Sequence, residues 1–252
     1  MTSPRLPLDQ AFGTPDAKGR YTRRLFATIA DRYDLITRLL SFGRDQAWKV
    51  DLIDRASVAP GQRALDLACG TGDLAFLAAA RGAAVVALDF TERMIALARR
   101  KPQARSVRWI VGDMGRLPVS SGTFDLITTG YGLRNVPDLR AALVEMHRVL
   151  APGGRLCSLD FDRPESALVR GVYLTYLTAV GSALGFILHR DPDTYRYIPA
   201  SIRRYPGARG VAVLMREAGF EDVQAIPVLG GFMAIHVATK AQPAEAVSDT
   251  SV

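Results

Sequence analysis

Apolar residues recur at helical spacing through "RRLFATIADRYDLITRLL": Leu25, Phe26, Ile29 and Tyr33 share one face, and Leu35, Leu39 and Leu40 follow. "SFG" then breaks the pattern. This predicts two or three helices ahead of any sheet. From "APGQRALDLACGTG" onward the pattern changes. "AAVVALDF", "VRWIVGDM", "FDLITTGYG" and "RLCSLDF" are short apolar runs that, with the run before the glycine loop, read as five strands. Between them, Leu74–Arg81, "TERMIALARR" with Thr91 as N-cap, and "VPDLRAALVEMHRVL" have helical character, the last halted by "APGG". Such alternation predicts an α/β fold with a doubly wound, mostly parallel sheet. Nearer the end, "ARGVAVLMREAGF" reads as a helix with Gly219 just past it, and "EDVQAIPV" and "FMAIHVATK" as two antiparallel closing strands.

"GVYLTYLTAVGSALGFIL", Gly171–Leu188, fits none of these units. It has no charged side chain and is close to the shortest run that crosses a bilayer. A span here would put the closing strands on the wrong side of the membrane, and Gly181 and Gly185 weaken it further. A buried core helix is the plain alternative. The expected reading is a cap helix over an acceptor pocket, with part of its surface left for an apolar tail.

The glycine loop carries the chemistry. In "LDLACGTGDLA", Gly70 and Gly72 follow a strand and precede a helix, so backbone N–H groups are free and a ligand can approach closely. Gly70, Gly72 and Ala75 also satisfy the dinucleotide spacing G-x-G-x-x-G/A, which keeps a nicotinamide oxidoreductase in view. The acids favour another ligand. Asp66 lies just before the loop, where a carboxylate repels a pyrophosphate and suits an ammonium or sulfonium group. Asp89 closes the second strand, where it can accept from ribose hydroxyls. Asp113 follows the third, where it can meet an adenine amino group. Three carboxylates at successive strand ends match S-adenosylmethionine.

The 252 residues, 48% of them hydrophobic, suffice for one large α/β domain. The net charge of +7 favours anionic partners, yet basic and acidic residues are interspersed and no nucleic-acid module is evident. Two cysteines, Cys69 and Cys157, suggest a reducing cytoplasm and no disulfide framework; three scattered histidines make no metal pattern. Residues 1–20 read as a loose leader without a signal-peptide core, 21–240 as a single domain with cap segments at about 21–58 and 163–205, and 241–252 as a disordered tail.

"LDLACGTG", "LDF", "GDM" and "RVLAPGG" resemble the class I methyltransferases. "FATIADRYDLITRLLSFGRDQAWK", "FDLITTGYGLRNVPD", "RVLAPGGRLCSLDFDRP", "DTYRYIPASIRRYP" and "GGFMAIH" narrow the resemblance to the ubiquinone/menaquinone C-methyltransferases of UbiE/MenG type, from about Phe26 to Ala238. The resemblance implies a Rossmann-like, seven-stranded sheet with helices on both faces and a helical cap. It implies a cofactor site at Thr71, Asp89, Asp113 with Met114, and Gly130, beside Asp66, Gly70 and Gly72 of the loop. The sequence departs from the family pattern at Asp45, where a histidine is usual, at Thr37, at Gly130, where serine is common, and in "LDFDRP".

The implied reaction is methylation of a ring carbon on a reduced, prenylated quinol of mena- or ubiquinone type. A ring carbon becomes nucleophilic when a neighbouring hydroxyl loses its proton. Arg134 and Asn135 of "GLRNV" stand where acceptor and cofactor should meet, Arg134 to stabilise the phenolate or hold a water, Asn135 to orient a ring oxygen. Tyr33 is a hydrogen-bond partner or proton relay, Asp45 a further proton acceptor, and His236 a candidate to touch the acceptor. "DTYRYIPASIRRYP" suits a lid on a quinol ring. A methylase of another hydrophobic acceptor (a sterol or polyketide), a non-catalytic cofactor-binding subunit and an RNA methyltransferase are the rivals. A peripheral contact with the inner membrane face and a homodimer are further expectations.

Overall fold

The computed structural model describes Leu8 and residues 10–242. Its strands are β1 (Arg63–Leu67), β2 (Ala84–Asp89), β3 (Val107–Val111), β4 (Phe124–Gly130), β5 (Leu150–Phe161), β6 (Phe220–Val228) and β7 (Met233–Lys240). They form a single seven-stranded sheet in the order β3-β2-β1-β4-β5-β7-β6. β1 to β5 run parallel, and β7 lies antiparallel between β5 and β6.

Strand periodicity divides the core between the two faces. Leu65 and Leu67 of β1 pack with Leu143 and Met146 of α6 (Leu139–Val149) and Val211 and Met215 of α9 (Gly207–Glu217). Ala64 faces the other way, toward Leu52 and Ile53 of α3 (Asp45–Ala56) and Ala75 and Ala78 of α4 (Asp73–Ala80). Sequential strands diverge on either side of β1, so the crevice beyond the C-terminal ends of β1 and β4 is where such a sheet binds ligands.

Over that crevice lies a cap of α1 (Pro15–Ile29), α2 (Tyr33–Leu40), α7 (Ala167–His189) and α8 (Asp193–Arg204). Ile29, Ile36 and Tyr195 form its small core. α8 crosses α7 closely because Gly185 and Gly181 have no side chain: a Cβ on Gly185 would lie 2.5 Å from the Asp191 carbonyl oxygen.

Several expectations need correction. The loose leader does not extend to residue 20, because α1 begins at Pro15. Thr14 Oγ1 accepts the Ala17 N–H at 3.1 Å, Pro15 opens the helix and Asp16 sits in its first turn, so the proline that looked like punctuation starts a helix. Residues 1–7, residue 9 and the tail from 243 lie outside the described residues. The first cap segment ends before α3, which packs on the sheet. The fifth strand begins before "RLCSLDF": α6 ends at Val149 and β5 starts at Leu150, with a register shift where Leu150 pairs Phe124 and Arg155 pairs Leu126. Thr91 does precede α5 (Glu92–Ala98), but its side chain makes no capping bond. The expected cap position of α7, by contrast, stands against the alternative of a buried core helix. This helix is long and apolar enough to cross a membrane, yet only 22% of its most apolar stretch is buried. Leu174 and Leu177 face inward, while Leu168, Val172, Phe186 and Ile187 face out.

Candidate active site

The turn after β1 is tied down by Asp89. Its Oδ2 accepts the Gly70 N–H at 2.9 Å and its Oδ1 the Thr91 N–H at 2.8 Å, so the carboxylate at the end of β2 sets the loop and the start of α5 together. Gly72 sits at φ +94, and a Cβ there would be 2.6 Å from Cη2 of Trp109. Only glycine fits both the backbone angle and the space.

The loop separates two small pockets. One, of about 20 Å³, is lined by Asp66, Gly70, Thr71, Lys49 and Gly130, among others. Asp66 and Thr128 are register partners on β1 and β4, which places their side chains on one face, and Thr128 Oγ1 donates to Asp66 Oδ1 at 2.9 Å. Oδ2 is buried without a hydrogen-bond partner. Burial pushes the Asp66 carboxyl up to about 7. The orphaned oxygen of Asp66 suits the ammonium of an amino-acid end, whereas the Lys49 ammonium in the same pocket is already paired with Asp45 and Asp73. Thr71 lines this pocket too, and its hydroxyl donates to Asp34 Oδ1 of α2 at 2.6 Å, tying the cap to the loop. At Gly130 a Cβ would lie 3.1 Å from Cδ1 of Leu74.

The second pocket, of about 50 Å³, is lined by Asp113, Met114, Phe90, Gly132 and Asn135, among others. Asp113 Oδ1 accepts the Gly115 N–H at 2.8 Å, and Met114 is buried beside it. Asp89 and Gly72 line neither pocket; they shape the loop between them. The residues present fit a phosphate-free nucleoside carrying an amino-acid end.

Under the cap is an apolar cavity of about 320 Å³, walled by Phe26, Trp48, Phe161, Tyr173, Tyr195 and Tyr197 with other residues. Tyr33 and Tyr131 line both this cavity and the Asp66 pocket, and Asn135 lines both the cavity and the Asp113 pocket. The structure thus brings all three expected catalytic residues to the cavity wall. Arg134 is 5% exposed, donates to Ser201, pairs with Asp160 and lies over the rings of Phe161 (4.9 Å) and Tyr197 (6.0 Å). Its charge is therefore fixed in place by Asp160. Asn135 Nδ2 donates to the Tyr131 carbonyl at 2.6 Å, which leaves Oδ1 buried and unpartnered. Burial pushes the Tyr33 hydroxyl up to about 12, so it stays protonated.

His236 is not at the acceptor. It is 2% exposed, between the Ala208 carbonyl (2.9 Å) and Ser158, its register partner on β5 (3.4 Å). His189 meets the Tyr195 hydroxyl at 2.9 Å, and His147 stacks edge-on against Phe220. Of the three tyrosines expected in a lid, Tyr195 and Tyr197 reach the cavity, whereas Tyr205 joins the sheet core. Four further residues went unread in the sequence. Asp160 is an acid inside an apolar strand, a visible signal. Lys49 stands four residues after Asp45 on one helix, a local signal as well, whereas Tyr131 and Lys18 carried none, since each acts through a partner distant in sequence. Lys18 donates to the Val136 carbonyl at 2.7 Å, and burial together with Arg134 holds its ammonium down to about 8.

The profile of the ubiE/COQ5 methyltransferase family matches residues 14–240. The chain belongs to the ubiE/COQ5 methyltransferase family. The demethylmenaquinone methyltransferase of Thermus thermophilus is 43% identical over 217 residues, covering 84% of this chain and 98% of that one. The ubiquinone/menaquinone biosynthesis C-methyltransferase UbiE of Rubrivivax gelatinosus is 38% identical, covering 94% and 96%. Among solved structures, a SAM-dependent methyltransferase from Thermotoga maritima aligns with a TM-score of 0.63 at 22% identity, over 87% of this chain and 99% of that one, a likeness of fold. Membership in the ubiE/COQ5 family bears out the Rossmann-like methyltransferase fold, the methyltransferase activity and S-adenosylmethionine as the methyl donor.

Proposed function

We propose that this enzyme methylates a ring carbon of a prenylated quinol, of the demethylmenaquinol or methoxy-polyprenyl-benzoquinol class. One observation carries the reading: an aromatic-walled cavity meets both nucleoside-side pockets at Tyr33, Tyr131 and Asn135. S-adenosylmethionine, when bound, supplies an electrophilic methyl group on sulfonium. Asp66 would hold the donor's ammonium through its unpartnered oxygen. Asp89 holds the loop in shape and stands at the strand end suited to ribose hydroxyls; Asp113 and Met114 flank the base. On the acceptor side, aromatic walls take the quinol ring and exclude water. Arg134 supplies positive charge for a developing phenolate. Asn135 Oδ1 accepts from a ring hydroxyl and fixes the ring's rotation.

The cavity opens where Phe42 (76% exposed) stacks on Tyr176 and where Leu229 is half exposed. These residues line the cavity and face outward, beside the apolar outer face of α7. A polyprenyl tail leaving the cavity meets that face, and each buried CH₂ contributes about 0.8 kcal/mol. The same surface, on a chain of net charge +7, suits peripheral contact with an anionic bilayer from the cytoplasmic side. A labelled-methyl assay with demethylmenaquinol, a methoxy-polyprenyl-benzoquinol and a sterol, read by mass spectrometry, tests the acceptor. Methylated quinol supports the reading; transfer to the sterol alone overturns it.

A further inference from the structure

Methyl transfer to a ring carbon needs a route for a proton, and the wall between two cavities provides one. Tyr131 reaches the apolar cavity and the Asp66 pocket, and its Oη donates to Asp45 Oδ1 at 2.6 Å across 86 positions of sequence. Asp45 is 4% exposed, and its Oδ2 accepts Lys49 Nζ at 2.5 Å. On the other side Asp45, Lys49 and Asp73 line a polar cavity of about 280 Å³ together with Arg38 and Lys101. The Asp45 carboxylate therefore connects an apolar chamber to a polar one through a single hydroxyl.

Tyr131 is held in place for this. Its backbone has φ +61, an uncommon angle for a residue with a side chain, and its ring leans on Phe161 at 5.8 Å. Burial and the neighbouring Asp45 push its hydroxyl well above the ordinary tyrosine range. A neutral hydroxyl that donates to a carboxylate still has lone pairs with which to accept. Asp160, another buried acid near the cavity, is engaged by Arg134 and by the N–H groups of Arg134 and Phe161.

Resting on the quinol reading above, we propose that Asp45 is the proton acceptor of the reaction, with Tyr131 relaying between it and the ring hydroxyl. The acceptor hydroxyl gives its proton to Tyr131 Oη as the Tyr131 proton passes to Asp45 Oδ1. The freed oxygen pair pushes into the ring, the ring carbon's electron pair forms the bond to the methyl group, and the broken C–S pair stays on sulfur. The ring carbon's hydrogen then leaves as a proton to solvent water and its bonding pair restores aromaticity. The phenolate oxygen regains its proton from Asp45 through Tyr131. One proton is released per methyl transferred.

The test compares wild type, Tyr131→Phe and Asp45→Asn on a short-prenyl demethylnaphthoquinol and on a fluorinated analogue with a more acidic hydroxyl. Each variant should lose about 100-fold in kcat on the ordinary quinol. S-adenosylhomocysteine affinity by calorimetry should fall far less than kcat, since the Tyr131 hydroxyl is turned to Asp45 and Asp45 lines neither nucleoside-side pocket. The acidified acceptor should recover much of the loss in the variants and gain little in wild type. Undiminished kcat in Tyr131→Phe, or an equal loss on both acceptors, overturns the relay and leaves the quinol reading standing. No product from wild type overturns both. Tyr131→Phe keeps the ring and its packing, so it decides the matter even if Asp45→Asn, which unbalances Lys49, does not fold.

Discussion

Arg134 and Asp160 form a buried ion pair in the cavity wall. Arg134 Nε lies 3.4 Å from Asp160 Oδ1, and Asp160 Oδ2 accepts the Arg134 backbone N–H at 3.0 Å. The side chains are 5% and 1% exposed, so neither charge has water to fall back on. Removing one partner strands the other. Asp160→Ala should cost about 3–5 kcal/mol of stability in denaturant unfolding. Arg134→Ala should cut turnover far more than cofactor affinity, since Arg134 lines the acceptor cavity and neither nucleoside-side pocket. Equal losses in both would remove it from the chemistry.

Asp66 makes cofactor binding depend on pH. Its carboxyl is raised from 3.8 to about 7 by burial, so the free protein carries it protonated below neutrality. The protonated form favours folding: that contribution is complete below pH 3.8 and fades as pH climbs through 7. An ammonium ligand prefers the ionised form. S-adenosylhomocysteine affinity, measured by calorimetry, should therefore rise with pH up to about 7 and level off above it. Asp66→Asn should flatten that profile and weaken binding at high pH.

Asp89 anchors a turn as well as a ligand. Asp89→Asn keeps one carbonyl acceptor and turns the other toward Gly70 or Thr91 as a second donor. The loop should loosen, with cofactor affinity falling at least tenfold, about 1.4 kcal/mol, and the melting temperature falling with it. Unchanged affinity would defeat both the loop and the ribose roles. Asp89→Ala is accordingly a poor probe of binding alone, because it leaves two N–H groups without their acceptor.

The outer face of α7 should govern recovery on membranes. Phe186 and Ile187 are 65% and 71% exposed. Charged substitutions there, Phe186→Glu with Ile187→Lys, add no repulsion to the core and should leave the melting temperature within a few degrees. Co-sedimentation with vesicles containing anionic lipid should drop severalfold, and turnover of a long-tailed quinol should fall more than that of a tail-less one. Equal co-sedimentation of variant and parent would refute the membrane contact.

The alternation of short apolar runs with helical patterns was enough to place the parallel strands, because burial on both faces of such a sheet demands it locally. The glycine loop and the acids Asp66, Asp89 and Asp113 were equally legible, since each sits at a strand end. The helix at Pro15 is also written locally, in Thr14, Pro15 and Asp16. His236, a candidate to touch the acceptor from its sequence, is walled in by Ser158 and Ala208, partners that strand pairing and the packing of α9 supply.

Strand positions, helix starts, the cofactor loop and the apolar character of α7 follow from neighbouring residues, whose spacing and backbone preferences act over a few positions. Which acid meets which base follows from the closed chain alone. Tyr131 finds Asp45, and Arg134 finds Asp160 and Ser201, because the sheet register and the cap bring segments tens of residues apart into a space with little water. There an unpaired polar group is costly, and the pairing that removes the cost exists in three dimensions only.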